Sequence, residues 1–348
     1  MADKRVTQQD IATKLGLHRS TVSLSLRNHP SISLATRQEV ARLAEKLGYQ
    51  PDPMLTALAA YRERNRPANF EGTLAWVFSS AGGFDWKRPP LYRQYFQGAQ
   101  AQAQRHGYRL EVHDINSEGM TPRRMANILL ARNIQGILLC PQPTAEGEID
   151  LPWENFSAVT FGYTLKKPNL HRVTATQYRG IALVLSKLRE LGYRKIGFAL
   201  VEKTDRRVDH SYLAAYVVDD YLHGAHFNVP PLTVDHRRDH PALLEWIKRY
   251  QMDVVVTVDP LTLGILREHG VRVPEDVGLA CSCLETTEGE MSGLCENSIE
   301  IGKTAVDFLV AMIHRGERGI PQHPHHLLVE GTWVPGKTVR KQRVASTV

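Results

Sequence analysis

The sequence predicts an all-α headpiece of helix-turn-helix layout followed by an α/β body of two doubly wound parallel sheets. Three observations carry that prediction. Apolar residues recur at helical 3/4 spacing in three short runs between residues 8 and 47. From Thr73 onward, short apolar runs instead alternate with amphipathic segments. Basic charge is confined to the start: residues 1–66 hold 11 Lys+Arg against 6 Asp+Glu, while the whole 348-residue chain holds 43 against 37. The body is therefore nearly neutral, and the positive excess is distributed as expected of a small module that neutralises phosphates.

In the headpiece, residues 8–15 place Ile11, Ala12 and Leu15 on one face, and Gly16 ends that helix where a left-handed residue costs least. A turn of about three residues follows. Residues 19–27 repeat the pattern with Val22 and Leu26 inward, which directs Arg19, Ser20, Ser23, Leu24 and Arg27 outward. This second helix is the one suited to a major groove. Ser33 is a good N-cap for a third helix whose Val40, Leu43, Ala44 and Leu47 form an apolar stripe that Gly48 closes. A plain helical bundle with a solvated second helix is the alternative reading.

In the body, 73–80, 108–115, 136–140 and 158–163 read as strands, with helices at 92–106 and 121–132 between them. A second series runs through a helix at 180–191, a strand at 195–201, a helix near 211–223, a strand at 253–258, a helix at 261–269 and a strand at 277–284. Two parallel sheets in series fit this order. A long helix at 300–315 precedes a final strand at 326–331, which lets late segments cross back between lobes. The predicted division is a headpiece at 1–52, a hinge helix and linker at 53–71, and a body at 72–348. Its lobes fall at about 72–165 and 166–295, with later segments crossing between them.

The connection has two parts. Residues 54–61 are good helix formers only two turns long, too short to be stable alone, so they must gain order from a partner such as DNA. The run RERNRPAN at 62–69 has the charged, Pro-interrupted composition of an exposed linker. No apolar run approaches the ~20 residues of a membrane span. The start MADKRVTQQD lacks a signal-peptide h-region, so a cytoplasmic location is expected. The four cysteines, Cys140, Cys281, Cys283 and Cys295, form no C-x-x-C pair, which points to reduced thiols on strands rather than a disulfide framework or zinc finger.

Several runs then coincide in order. VTQQDIATKLGL, STVSLSLRN, SISLATR and LGYQPDP, followed by LRELGYRKIGF, LREHGVRVPEDVGL and IEIGKTAVDFLV, resemble the lac repressor/galactose repressor family over essentially the whole chain. The resemblance implies a homodimer or tetramer whose paired headpieces bind a two-fold DNA site. It also implies a periplasmic-binding-protein-like body that holds a small effector, a sugar among the candidates, between its lobes. It puts Arg19, Ser20 and Leu24 at base-reading positions and Thr7, Thr21, Ser23, Arg27, Ser33, Thr36 and Tyr49 at backbone-positioning ones. Leu58 matches a hinge leucine that wedges into the minor groove. The chain departs from the family at Leu24, where arginine is common, and at Arg27, where asparagine is frequent, so a different operator sequence is expected.

The effector pocket departs further. Relatives often show R-x-x-G-[FYW], an N-D pair and a G-[FY]-D-D turn; here those places read 212–216, Val258-Asp259 and Ser282-Cys283-Leu284, so only Asp259 remains of the polar set. Ser79, Trp86, Tyr92 and Phe96, on and after the first body strand, are candidates to line a pocket mouth, and Tyr212, at one of the family's ligand positions, is a further effector candidate. Aromatics at helical spacing are more often core residues. The run His323-Pro324-His325-His326 lacks accompanying ligands at metal spacing and reads as a solvated loop. Gly82-Gly83 lacks a nucleotide-binding pattern, and neither G-x-S-x-G nor H-E-x-x-H occurs. The expectation is a DNA-binding transcriptional regulator, a repressor, that takes a palindromic operator as a homodimer under effector control, with no cofactor and no metal. Alternatives are a regulator whose pocket answers to a protein partner or to nothing, and an enzyme with a regulatory headpiece, for which no catalytic constellation speaks. The tail TVRKQRVASTV carries no heptad repeat, which favours a dimer over a tetramer.

Overall fold

The computed structural model describes residues 6–26, 32–49, 72–223, 229–233, 235 and 237–342. Headpiece elements begin and end on local chemistry. Helix α1 (Gln8–Leu15) starts at a reciprocal box: Asp10 N–H donates to Thr7 Oγ1 at 3.3 Å, and Thr7 N–H donates to Asp10 Oδ2 at 2.7 Å. Gly16, at φ 63°, ends it. Helix α2 (Arg19–Leu26) follows, and α3 (Leu34–Lys46) is capped by Ser33, whose Oγ accepts Thr36 N–H at 3.2 Å. Ile11, Ala12, Val22, Val40 and Ala44 close a core edged by Leu26, Leu43, Leu47 and Tyr49. The expected hinge helix at 54–61 lies outside the described residues, as do Arg27 and Leu58.

The first lobe contains β1 (Gly72–Phe78), α4 (Pro90–Arg105), β2 (Tyr108–Asp114), α5 (Pro122–Ala131), β3 (Gly136–Leu139), a short β4 (Gly147–Glu148), β5 (Ser157–Phe161), β6 (Leu165–Lys167) and β7 (His171–Ala175). The second contains α6 (Gln177–Glu190), β8 (Ile196–Ala199), α7 (Glu202–Arg206), α8 (Ser211–His223), α9 (His240–Tyr250), β9 (Val254–Thr257), α10 (Thr262–Glu268), β10 (Gly278–Leu284) and β11 (Ser292–Cys295). The chain then returns through α11 (Ser298–Arg315) and β12 (His326–Val329) to the first sheet, and ends its described strands with β13 (Thr332–Val334) in the second.

The first sheet is parallel throughout, in the order β12-β7-β5-β3-β1-β2. From β1 the chain steps to β2 on one side and returns to β3 on the other. That reversal opens a crevice beyond the carboxyl ends of β1 and β3. Central strands β3 and β5 are buried along their whole length because helices cover both faces, while edge strand β12 alternates exposed and half-buried residues. Helices α4 and α11 cross on glycines: a Cβ on Gly98 would sit 2.0 Å from Ile299 O, and one on Gly302 would sit 2.1 Å from Tyr95 O.

Two expectations are corrected, and two elements are new. The first lobe does not end near 165, because β7 buries Val173 and pairs with β5 and β12 before the chain crosses over. The strand expected at 326–331 is split: β12 stays in the first sheet, and β13 lies antiparallel to β11, so the second sheet, β13-β11-β10-β9-β8, is not wholly parallel. Helix α9 and strand β11 were not anticipated. His326 opens β12 as the predicted strand had it, His323 to His325 lie outside any strand, and His325 N–H donates to His171 Nδ1 at 3.0 Å. The three interlobe crossovers are tied together: Thr176 Oγ1 donates to Glu330 Oε2 at 3.0 Å, and Asn297 Nδ2 donates to Glu330 O at 2.8 Å.

Candidate functional site

The headpiece exposes the start of α2. Arg19 and Ser20 are exposed there, while Thr21, Ser23 and Leu24 are half-buried along the same helix. His18 organises this end, a role that sequence reading missed. Its carbonyl accepts Thr21 N–H at 2.9 Å, and its Nδ1 lies 3.3 Å from the donating Ser20 N–H and 2.7 Å from Ser20 Oγ. With Nδ1 accepting, the neutral ring carries its proton on Nε2, and the Ser20 hydroxyl, its hydrogen directed at Nδ1, presents lone pairs outward. A His two residues ahead of a Ser at a helix start was the available signal. Thr7 and Ser33, at the N-termini of α1 and α3, are exposed; Thr36 is half-buried with its hydroxyl 2.8 Å from that of Ser33, and the half-buried Tyr49 packs on the core. Helix N-termini bring unpaired N–H groups and positive dipole ends to a surface, the arrangement that favours phosphate.

The crevice between the lobes gathers a different set. Ser79, just past β1, is buried; its hydroxyl donates to Asn116 Oδ1 at 2.6 Å. Trp86 does not line a mouth: it is 3% exposed, and its ring, that of Trp76 and that of the half-buried Phe96 pack together with centroids 4.9–5.4 Å apart. Closing these large rings into one cluster removes more apolar surface from water than leaving them at an opening. Tyr92 does face the second lobe. Tyr212 is buried and its hydroxyl donates to Glu296 Oε1 at 3.1 Å. Asp259, past the end of β9, is largely engaged already: Oδ1 accepts Leu261 N–H at 3.0 Å and Oδ2 lies 3.4 Å from Arg237 Nε.

Three cleft residues escaped sequence reading. Arg207, after α7, reaches across to the first lobe, where Nη1 donates to Pro143 O at 2.8 Å and Nη2 donates to Gln142 O at 2.9 Å and to the Tyr92 hydroxyl at 2.8 Å. Gln94 Nε2 makes a second tie, donating to Glu285 O at 2.8 Å. Glu296 stands buried at the second crossover, where burial pushes its carboxyl up to about 7 against the lowering effect of the Tyr212 hydrogen bond. Burial likewise raises the hydroxyls of Tyr92, Tyr95 and Tyr212 and the Cys283 thiol. Arg207 was hidden in the charge-dense run EKTDRRVDH, but an acidic residue directly after the buried strand MSGLC was a usable signal for Glu296. Among the described residues, no group of three or more His, Cys, Asp or Glu side chains is arranged to hold a metal. A cavity of about 410 Å³ between α6 and α8, edged by Tyr178 and Leu222, shares no residue with this set.

Comparison with known proteins matches both regions. Residues 7–52 fit the profile of bacterial regulatory proteins of the lacI family, and residues 185–339 fit the periplasmic binding protein-like domain. The chain thus joins a lacI-family DNA-binding domain to a periplasmic binding protein-like domain. The HTH-type transcriptional repressor CytR of Escherichia coli (strain K12) is 23% identical over 323 residues, covering 87% of this chain and 89% of that protein. The NTD biosynthesis operon regulator NtdR of Bacillus subtilis (strain 168) is 21% identical, covering 78% and 81%. In structure, the cellobiose complex of the transcriptional regulator CelR is similar at TM-score 0.56 and 21% identity, over 97% of this chain and 99% of that one. The lac repressor dimer bound to operator and the anti-inducer ONPF is similar at TM-score 0.55 and 17% identity, over 96% and 99%. At such identities the structures establish a shared fold. With these two domains the protein is a DNA-binding transcriptional regulator and not an enzyme. No helix among its described residues is long and apolar enough to cross a membrane.

Proposed function

We propose that the protein represses transcription by binding a palindromic operator as a homodimer, in the cytoplasm at the nucleoid, under control of a small-molecule effector held between the lobes. The observation that carries the DNA half is the exposed, His18-organised start of α2 above a closed three-helix core. Arg19, Ser20 and Leu24 read base edges: the guanidinium takes guanine O6/N7, and Leu24 takes an apolar partner such as a thymine methyl. Thr7, Thr21, Ser23, Arg27, Ser33, Thr36 and Tyr49 contact the phosphate backbone and set register. Leu58 enters the minor groove from a hinge helix that orders on DNA. A sugar or sugar derivative is the effector class that the family resemblance favours, with Ser79, Tyr92, Tyr212 and Asp259 facing it.

Selection of bound fragments from a random DNA pool tests this reading. A palindromic consensus with half-sites about one helical turn apart is expected from a two-fold dimer. An asymmetric consensus, or none, overturns it. The direct lobe-to-lobe bonds of Arg207 and Gln94 favour a second reading, in which the body answers to a protein partner or is constitutive. Calorimetric titration with sugars and related metabolites separates the two, since only the first predicts saturable heat.

A further inference from the structure

Arg207 is a half-buried cation whose described partners are all neutral. They are two backbone carbonyls and a phenol, and no carboxylate among the described residues forms an ion pair with it. Asp205, two residues earlier in the chain, is committed elsewhere. Buried Asp205 gives Oδ1 to Leu213 N–H at 3.1 Å and Oδ2 to His210 Nδ1 at 2.9 Å. Glu296, on the second lobe's wall, is bonded to Tyr212. Meanwhile the guanidinium sits at the carboxyl end of β3, against Gln142 and Pro143, in the crevice where the strand order reverses. Ligands of open α/β sheets bind at that place.

We propose that Arg207 makes the cleft selective for an anionic effector, one bearing a carboxylate or a phosphate; the inference rests on the reading that the cleft holds a small molecule. A guanidinium pairs with such groups through two parallel hydrogen bonds that are roughly twice as strong as those to neutral acceptors. The anion therefore displaces the carbonyls of Gln142 and Pro143 as the partner of Nη1 and Nη2. Tyr92, which now accepts from Arg207, turns its hydroxyl hydrogen to the same anion. Because those carbonyls belong to the first lobe and Arg207 to the second, binding exchanges a lobe-to-lobe tie for a ligand-mediated one. Effector charge is thereby coupled to the angle between lobes.

Two matched series test the proposal on the full-length protein: glucose, gluconate and glucose 6-phosphate, and glycerol, glycerate and glycerol 3-phosphate, at equal concentration and ionic strength. Thermal melting is read for wild type, Arg207→Gln and Arg207→Lys. At least one acid or phosphate is expected to raise the wild-type melting temperature while its neutral parent does not, and the two charged arms distinguish carboxylate from phosphate. Arg207→Gln is expected to weaken apparent affinity for that anion about tenfold to a hundredfold, the effect of losing a charged hydrogen-bond partner. Arg207→Lys, which keeps the charge without the fork, retains part of the response and covers the case in which the glutamine variant folds poorly. Equal stabilisation by the neutral parents overturns anion selection while leaving the cleft reading intact. Equal stabilisation of wild type and Arg207→Gln places the anion at an adventitious site and overturns it as well. If no compound of either series shifts the wild type, the anion proposal falls, and the calorimetric screen of neutral metabolites decides the cleft reading separately.

Discussion

Replacing Glu296 by Gln removes the ionisation of a carboxyl that folding takes away from water at the second interlobe crossover. The residue is 4% exposed, and burial pushes it from 4.5 up to about 7. Between those values the folded protein holds a proton that the unfolded chain has released. The stability this group contributes is therefore fully present below about 4.5, falls as pH rises, and is lost above about 7. At ~1.4 kcal/mol for each tenfold difference in proton affinity, the separation from 4.5 to about 7 amounts to ~3 kcal/mol. Gln keeps an acceptor for the Tyr212 hydroxyl, which donates at 3.1 Å, but adds an amide hydrogen that needs a partner. That second effect is a constant offset of about 1–3 kcal/mol. Urea unfolding of wild type and variant, followed by tryptophan fluorescence across the interval from acid to mildly alkaline pH, separates the two contributions. The difference in unfolding free energy is expected to move in favour of Glu296→Gln by ~3 kcal/mol between about pH 4.5 and pH 8. Parallel curves, offset by the same amount at every pH, would refute the reasoning and show that Glu296 ionises in the fold as easily as in water.

Arg19→Ala should weaken binding to a selected operator by about 1–3 kcal/mol while leaving random-sequence binding nearly unchanged. Equal losses on both DNAs, in fluorescence-anisotropy titrations, would reduce Arg19 to a phosphate contact. Gly302→Ala forces a methyl to within 2.1 Å of Tyr95 O and should destabilise the body by at least ~1–3 kcal/mol, the usual cost of overpacking. A wild-type melting temperature would contradict the close crossing of α4 and α11. Asp259→Ala should lose ~1 kcal/mol, because the carboxylate receives Leu261 N–H at the approach to α10, whereas Asp259→Asn keeps that acceptor and loses only the half-exposed pair with Arg237. If the two variants melt alike, the ion pair and not the turn holds the segment.

The sequence by itself determined what depends on neighbours along the chain. Residues Ile11, Ala12, Val22, Val40 and Ala44 fall into one core because helical period alone aligns them, and Thr7, Gly16 and Ser33 mark helix ends because caps are local chemistry. The alternation of apolar runs and amphipathic segments likewise declared an α/β body, since strands covered on both faces need no partner to look apolar. The candidate DNA face was legible for the same reason: Arg19 and Ser20 are outward by periodicity within their own helix. What only the tertiary structure decided involves residues far apart in sequence. Trp86 and Phe96 had the composition of a pocket mouth, yet β1 brings Trp76 against both, and that contact is invisible until the sheet forms. The split of 326–331 between two sheets depends on which edges remain open, because β12 pairs with β7 and β13 pairs with β11. Arg207 looked like one charge among many in a polar run; it acquires a role only where folding carries it 65 residues back along the chain to the Gln142 carbonyl. Glu296 could be noticed after its apolar run, but its burial is completed only at the second crossover packed against α8, where lost hydration raises its proton affinity.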